Sequence, residues 1–234
     1  LAELHFAPTD TSRENLLAEA TAEFKIWVTG NTVIDALLSI IRDDYEFGPE
    51  FAGIDMTKRM LLVTTHRREN WGERMREIYR ALLELVEEFP DIAVVFPVHR
   101  NPIVRSIAEE MLSGHPRIHL LDPLDYEPFA HLMNKSYLVI TDSGGLQEEA
   151  PALGKPVLVL RDTTERPEAV IAGTVKLVGT NRRKIYEETK KLLSDPREYD
   201  KMARAINPYG DGKAARRIVR ELISFLYVRI GAQG

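Results

Sequence analysis

Short apolar runs alternate with longer amphipathic stretches between about residues 58 and 195. The runs fall at 60–65, 92–98, 117–121, 137–141, 156–160 and 174–178, and each predicts a strand. The clearest helix follows the first run. Met75, Ile78, Tyr79, Leu82, Leu85, Val86 and Phe89 recur at three- and four-residue spacing there, while Glu and Arg fill the other positions. Further helices are predicted at 102–113, 125–134, 145–153, 165–172, 181–194 and 197–206, with Pro90 and Gly173 placed as stop signals. Strand and helix in alternation predict βαβ units around a parallel sheet, and six strands suffice for a doubly wound, Rossmann-like α/β domain over 59–206.

The flanks carry separate patterns. Residues 1–30 read as one small βαβ fragment: strands at 4–7 and 25–29, with a helix between them opened by Thr11 or Ser12. Gly30 and Asn31 open a helix over 32–41 that leads into a polar, Gly- and Pro-containing stretch, so 31–58 is expected to connect two domains. Near the other end, the turn cluster at 207–212 precedes an amphipathic helix over 214–228 with Ile218, Leu222, Phe225 and Leu226 on one face. A helix set off by such a break is expected to pack away from the preceding sheet, so 207–234 is read as a returning segment. The first residues are Leu-Ala-Glu-Leu-His-Phe-Ala-Pro, without Met and without a basic and apolar leader. The chain is therefore expected to start inside a longer protein and neither to span a membrane nor to be exported by a signal peptide.

Composition narrows the chemistry. Of 234 residues, 44% are apolar and 29% charged, which excludes intrinsic disorder. A net charge of −5 argues against a general nucleic-acid binder and confines any polyanion contact to a local patch. There are no cysteines, so disulfides, thiolate metal sites and cysteine nucleophiles are absent, in keeping with a reducing cytoplasm. Six histidines show no metal-ligand spacing, and no metal site is expected.

The sharpest local signal is a strand running into Ser143, Gly144 and Gly145 and then directly into a helix. Two glycines let a ligand approach the backbone, and free N–H groups with the helix dipole favour an anion such as a diphosphate. A tight turn with glycine chosen for its backbone angles alone is the competing reading. Glu148 and Glu149 follow within a turn, where a carboxylate suits ribose hydroxyls or serves as a solvated face favoured by the dipole. His66 stands beside Arg67 and Arg68 at the end of the first strand, so its charged form is expected to be disfavoured. His99 and Arg100 repeat the pattern at the next strand, ahead of an Asn-Pro helix entry. Arg161 and Arg166 lie in the loop after the fifth strand, where guanidinium groups suit phosphate. Tyr126 and Phe129 offer an aromatic platform for a base or ordinary core aromatics. The relaxed G-x-G-x-x-A at 210–215 follows a turn, not a strand, which argues against a nicotinamide site.

Seven motifs in order, TGNTVIDA at 29–36, THRRENWG at 65–72, PVHRNP at 97–102, DPLDYEPF at 122–129, TDSGGLQEEAP at 141–151, RDTTERPE at 161–168 and NPYGDG at 207–212, resemble the non-hydrolysing bacterial UDP-N-acetylglucosamine 2-epimerases. The resemblance implies a GT-B-type fold of two Rossmann-like domains, with this chain holding the second domain and a remnant of the first. It implies UDP bound by Ser143, Gly144 and Gly145 at the diphosphate, Glu149 at the ribose, Leu124 and Phe129 around uracil, and Arg166 at phosphate. His66 matches a catalytic histidine, and Arg67 with His99 match part of a second, activating UDP-GlcNAc site. The reaction implied is interconversion of UDP-GlcNAc and UDP-ManNAc by elimination and re-addition of UDP, without a cofactor, in a cytoplasmic homodimer supplying cell-surface polysaccharide precursors. The acids acting at C2 lie, by this resemblance, in segments this chain does not contain. A GT-B glycosyltransferase and a non-catalytic UDP-binding module are the alternatives.

Overall fold

In a computed structural model, residues 2–231 are described, with side chains through Tyr227. The chain runs β1 (His5–Ala7), α1 (Asp10–Ala18), β2 (Ile26–Val28), α2 (Thr32–Ile40), β3 (Arg59–Thr64), α3 (Glu73–Glu88), β4 (Ile92–Pro97), α4 (Pro102–Leu112) and β5 (Ile118–Leu121). It continues through α5 (Tyr126–Lys135), β6 (Leu138–Thr141), α6 (Leu146–Ala152), β7 (Val157–Val159), α7 (Pro167–Ala172), β8 (Val175–Leu177), α8 (Arg182–Ser194), α9 (Pro196–Ala203) and α10 (Ala214–Gly231). Two compact units result, one of Ile41–Ile206 and one of Leu1–Ile40 with Asn207–Gly234. Helix α2 thus belongs to the unit of the termini, and residues 41–58 of the stretch expected to connect domains belong to the larger unit.

The larger unit is an all-parallel sheet of six strands in the order β5-β4-β3-β6-β7-β8. Strand order therefore reverses between β3 and β6, whose register pairs Leu61 with Leu138 and Thr64 with Thr141. Alternate residues of the central strands, Leu61, Val63, Val94, Phe96, Leu138 and Ile140, pack in one core with Ile78, Leu82 and Leu85 of α3, Val104 of α4 and Ile185 of α8. The intervening residues Met60, Leu62, Val95 and Val139 are buried too, so both faces are covered, as parallel sheets require. Helix α3 forms as its spacing predicts, with Met75, Ile78, Tyr79, Leu82, Leu85 and Val86 all buried.

In the smaller unit β1 and β2 pair in parallel, His5 with Ile26 and Ala7 with Val28. Two of the sequence motifs meet there for structural reasons. A Cβ on Gly30, whose φ is +87°, would sit 3.3 Å from the Cα of Gly210, and the Asn31 N–H donates to the Tyr209 carbonyl at 2.7 Å. The Asp35 carboxylate accepts from the N–H groups of Ala214 and Ala215 at 3.0 and 2.9 Å and caps α10. Among the described residues no helix is long and apolar enough to cross a membrane.

Candidate functional site

Ligands of doubly wound sheets bind beyond the carboxyl ends of the strands, where the strand order reverses. Here that point lies between β3 and β6, whose last residues are tied by a 2.6 Å hydrogen bond between the Thr64 and Thr141 hydroxyls. The next residue of β6's path, Asp142, is completely buried. Its carboxylate accepts from the His66 N–H at 3.0 Å, the Arg67 N–H at 2.9 Å and the Asn70 side-chain amide at 3.1 Å. It also lies 2.8 Å from His66 Nδ1. Burial pushes the Asp142 carboxyl up, but the His66 ring and the two backbone donors outweigh it and hold it below the ordinary carboxylate range. The group touching the His66 ring is thus a carboxylate, whereas the two adjacent arginines were the neighbours expected to matter. Arg67 instead turns its Nε to the Asp142 carbonyl at 3.1 Å and its Nη2 to Glu165 at 3.0 Å.

Ser143, Gly144 and Gly145 carry the chain from β6 into α6. Neither glycine is among those with positive φ, and Gly145 is α-helical at φ −62°, ψ −41°. Backbone angles therefore do not explain the two glycines; at Gly144 a Cβ would lie 2.6 Å from Glu165 Oε1, whereas at Gly145 it would meet nothing closer than 3.7 Å. A Cβ on Gly145 would point between Ser143 Oγ at 4.0 Å and Glu149 Oε2 at 3.7 Å. The Ser143 N–H donates to Thr141 Oγ1 at 2.9 Å, while those of Gly144, Gly145 and Leu146 donate to no acceptor among the described hydrogen bonds. Three free amides on a glycine turn are suited to an anion.

Beside this turn a cleft of about 250 Å³ is lined by His66, His99, Leu124, Phe129 and Ser143, among others. The structure thus brings five of the expected residues to one wall, and the His66 and His99 rings stack at 5.7 Å between centroids. Of the pair expected to belong to a second site, Arg67 borders the glycine turn and His99 lines the cleft. Helix α5 places Tyr126 one turn before Phe129, and the Tyr126 hydroxyl donates to Glu149 at 2.9 Å. Burial raises the Glu149 carboxyl, as does neighbouring Glu148, against the lowering effect of the Tyr126 hydrogen bond. Burial and then Glu149 push the Tyr126 phenol up as well. Arg166 is ion-paired through Nε to the buried Glu148, one turn from the glycines. Asp142, Asn70 and Glu165 join the site without having been singled out from the sequence. Among the described residues no group of three His, Asp or Glu could hold a metal ion.

A family model described as UDP-N-acetylglucosamine 2-epimerase matches residues 1–223. The chain belongs to the UDP-N-acetylglucosamine 2-epimerase family. It is 53% identical over 223 residues to the UDP-N-acetylglucosamine 2-epimerase of Bacillus subtilis, covering 95% of this chain and 58% of that protein. A Staphylococcus aureus MnaA–UDP co-structure superposes with a TM-score of 0.91 at 47% identity, covering 97% of this chain and 62% of the other. The UDP-GlcNAc 2-epimerase of Neisseria meningitidis bound to UDP-GlcNAc superposes with a TM-score of 0.87 at 48% identity, over 95% and 62%. The chain spans about three fifths of the length of these epimerase relatives.

Proposed function

We propose that this chain supplies the UDP-binding part of an enzyme that interconverts UDP-GlcNAc and UDP-ManNAc. The observation that carries the proposal is the Ser143-Gly144-Gly145 turn, with three unsatisfied amides and two positions without a side chain of their own, set where the strand order reverses. The diphosphate sits on those amides and on Arg166. The ribose hydroxyls donate to Glu149, and uracil packs between Leu124 and Phe129. The relatives solved with UDP and with UDP-GlcNAc support a nucleotide sugar as the ligand class.

The proposed chemistry removes the C2 proton, expels UDP to give a 2-acetamidoglucal and re-adds UDP with hydrogen on the other face. Expulsion requires a proton donor or positive charge at the departing diphosphate. His66 lines the cleft, and its Nδ1 is committed to Asp142, which leaves Nε2 as the nitrogen that exchanges a proton with the leaving group. The acids that act at C2 are assigned to the part of the family fold outside this chain, with 1–30 as a remnant of that domain and 207–234 returning to it. A cytoplasmic homodimer is the corresponding proposal for the full-length enzyme.

Proton NMR of the chain with UDP-GlcNAc in deuterated water tests this reading. Line broadening of uracil and ribose signals without loss of the C2 proton is the expected result. Sugar signals that broaden while uracil stays sharp, or no broadening at all, contradict it. UDP-ManNAc formation with C2 exchange would place the base within these residues and overturn the division of labour.

A further inference from the structure

Glu165 has no role in the reading above, yet its carboxylate occupies the space over the glycine turn. A Cβ built on Gly144 would lie 2.6 Å from Glu165 Oε1 and 3.7 Å from Arg67 Nη2. The carboxylate is gripped from two sides, by Arg67 Nη2 at 3.0 Å and by Arg161 through Nη1. Arg67 is itself fixed, because its Nε donates to the Asp142 carbonyl. An anion seat with two guanidinium groups is therefore filled by an anion of the chain itself.

We propose that Glu165 is a resident anion in the diphosphate seat, which UDP must displace from Arg67 and Arg161 in order to bind. The inference rests on the proposed function and names how the same site is regulated. Loop geometry restricts the exchange to one side chain. On one side of Glu165 the Thr164 hydroxyl donates to Gln147 Oε1 at 2.6 Å, and on the other Arg166 donates its N–H to Thr164 Oγ1 at 3.0 Å and pairs with Glu148. The backbone is pinned across the loop, whereas the Glu165 side chain is 41% exposed and has solvent to turn into once a competing anion takes its arginines. Its departure uncovers Gly144 and frees two guanidinium groups together.

This arrangement discriminates among ligands by charge. A carboxylate with one negative charge is outcompeted by a diphosphate, which brings more charge and more acceptor oxygens to the same arginines. Weaker single anions meet a seat that is already neutralised. Burial raises the Glu165 carboxyl, but its own backbone N–H and the two arginines prevail and hold it at about 2, so the resident is charged at any physiological pH.

The test is calorimetric titration of the chain with UDP, inorganic pyrophosphate and uridine, before and after Glu165→Gln, which keeps the shape and removes the charge. Glu69→Gln is the control, because Glu69 lies 3.4 Å from Arg161 Nε and borders the same arginine outside the seat. Glu165→Gln is expected to tighten UDP and pyrophosphate by about fivefold or more, the size of losing one competing ion pair, and to leave uridine unchanged. Glu69→Gln is expected to change UDP affinity by less than about twofold. Unchanged or weaker UDP binding in Glu165→Gln would overturn the proposal and make Glu165 a residue that positions the arginines. Equal tightening by both variants would overturn it in favour of a bulk charge effect. Failure of the unaltered chain to bind UDP is a separate outcome, which removes the proposed function along with the inference.

Discussion

Asp142 sits where no water reaches and is surrounded by donors: two backbone N–H groups, the Asn70 amide and His66 Nδ1. Replacing it with Asn sets an NH2 group against some of these donors, so Asp142→Asn is expected to cost about 3 kcal/mol at pH 7. The pH dependence has a definite sign. The folded carboxyl lies below its unfolded value, so its contribution is complete above the unfolded range near 4 and is lost as pH falls through the folded value. Urea denaturation should therefore show a gap between parent and variant that narrows below about pH 4; a pH-independent gap contradicts the assignment. Glu149 has the opposite sign, because burial raises its carboxyl and ionisation above the unfolded range then costs stability. Glu149→Gln should gain about 1 kcal/mol at neutral pH, lose that gain towards pH 4, and weaken uridine binding about tenfold. A destabilised variant with unchanged uridine affinity would mean that Glu149 serves the fold through Tyr126. In the sequence Asp142 was one acidic residue after an apolar run. Its partners lie 72 to 76 positions upstream, and only the pairing of β3 with β6 brings them together.

At the scale of elements, α5 shows how one helix supplies two contacts. Tyr126 and Phe129 are three residues apart and so share a face, and that face delivers a hydroxyl to Glu149 and a ring to the cleft. Neither ring is buried in the core, which goes against the reading as ordinary core aromatics, and each has a place at the site. Phe129→Ala is expected to weaken uridine and UDP by the same factor, about tenfold, because base contacts are common to both ligands. A loss confined to UDP, measured by calorimetry, would move Phe129 from the base to the phosphates. The strands were legible nearly residue by residue, since apolar runs such as 60–65 and 92–98 admit little else between polar turns. Helix ends were less so: α7 begins at Pro167, not 165, because Thr164 caps the Arg166 N–H and Glu165 is held out by arginines. Glu165 could not be assigned from the sequence for the same reason as Asp142, because its partner Arg67 is 98 positions away.

For the whole molecule, strand number followed from hydrophobic pattern, whereas strand order did not. The order β5-β4-β3-β6-β7-β8 depends on which edges pair, and no periodicity encodes that. Yet the order makes the site, because it sets the ends of β3 and β6 side by side and brings His66, Asp142 and the glycine turn into one cluster. The motifs at 29–36 and 207–212 divide differently: they looked as informative as the others, and Gly30 against Gly210 and Asp35 at the start of α10 give them a packing role. We propose above all that the glycine turn of the larger unit holds the diphosphate of UDP. The most direct measurement is calorimetric titration of UDP into the chain and into Gly144→Val, with melting temperature as the check on folding. Saturable binding by the parent and none by a variant that melts within about 2 °C of it is the predicted result, because the added side chain fills the space over the amides. Equal affinity for UDP in a folded Gly144→Val would contradict the claim.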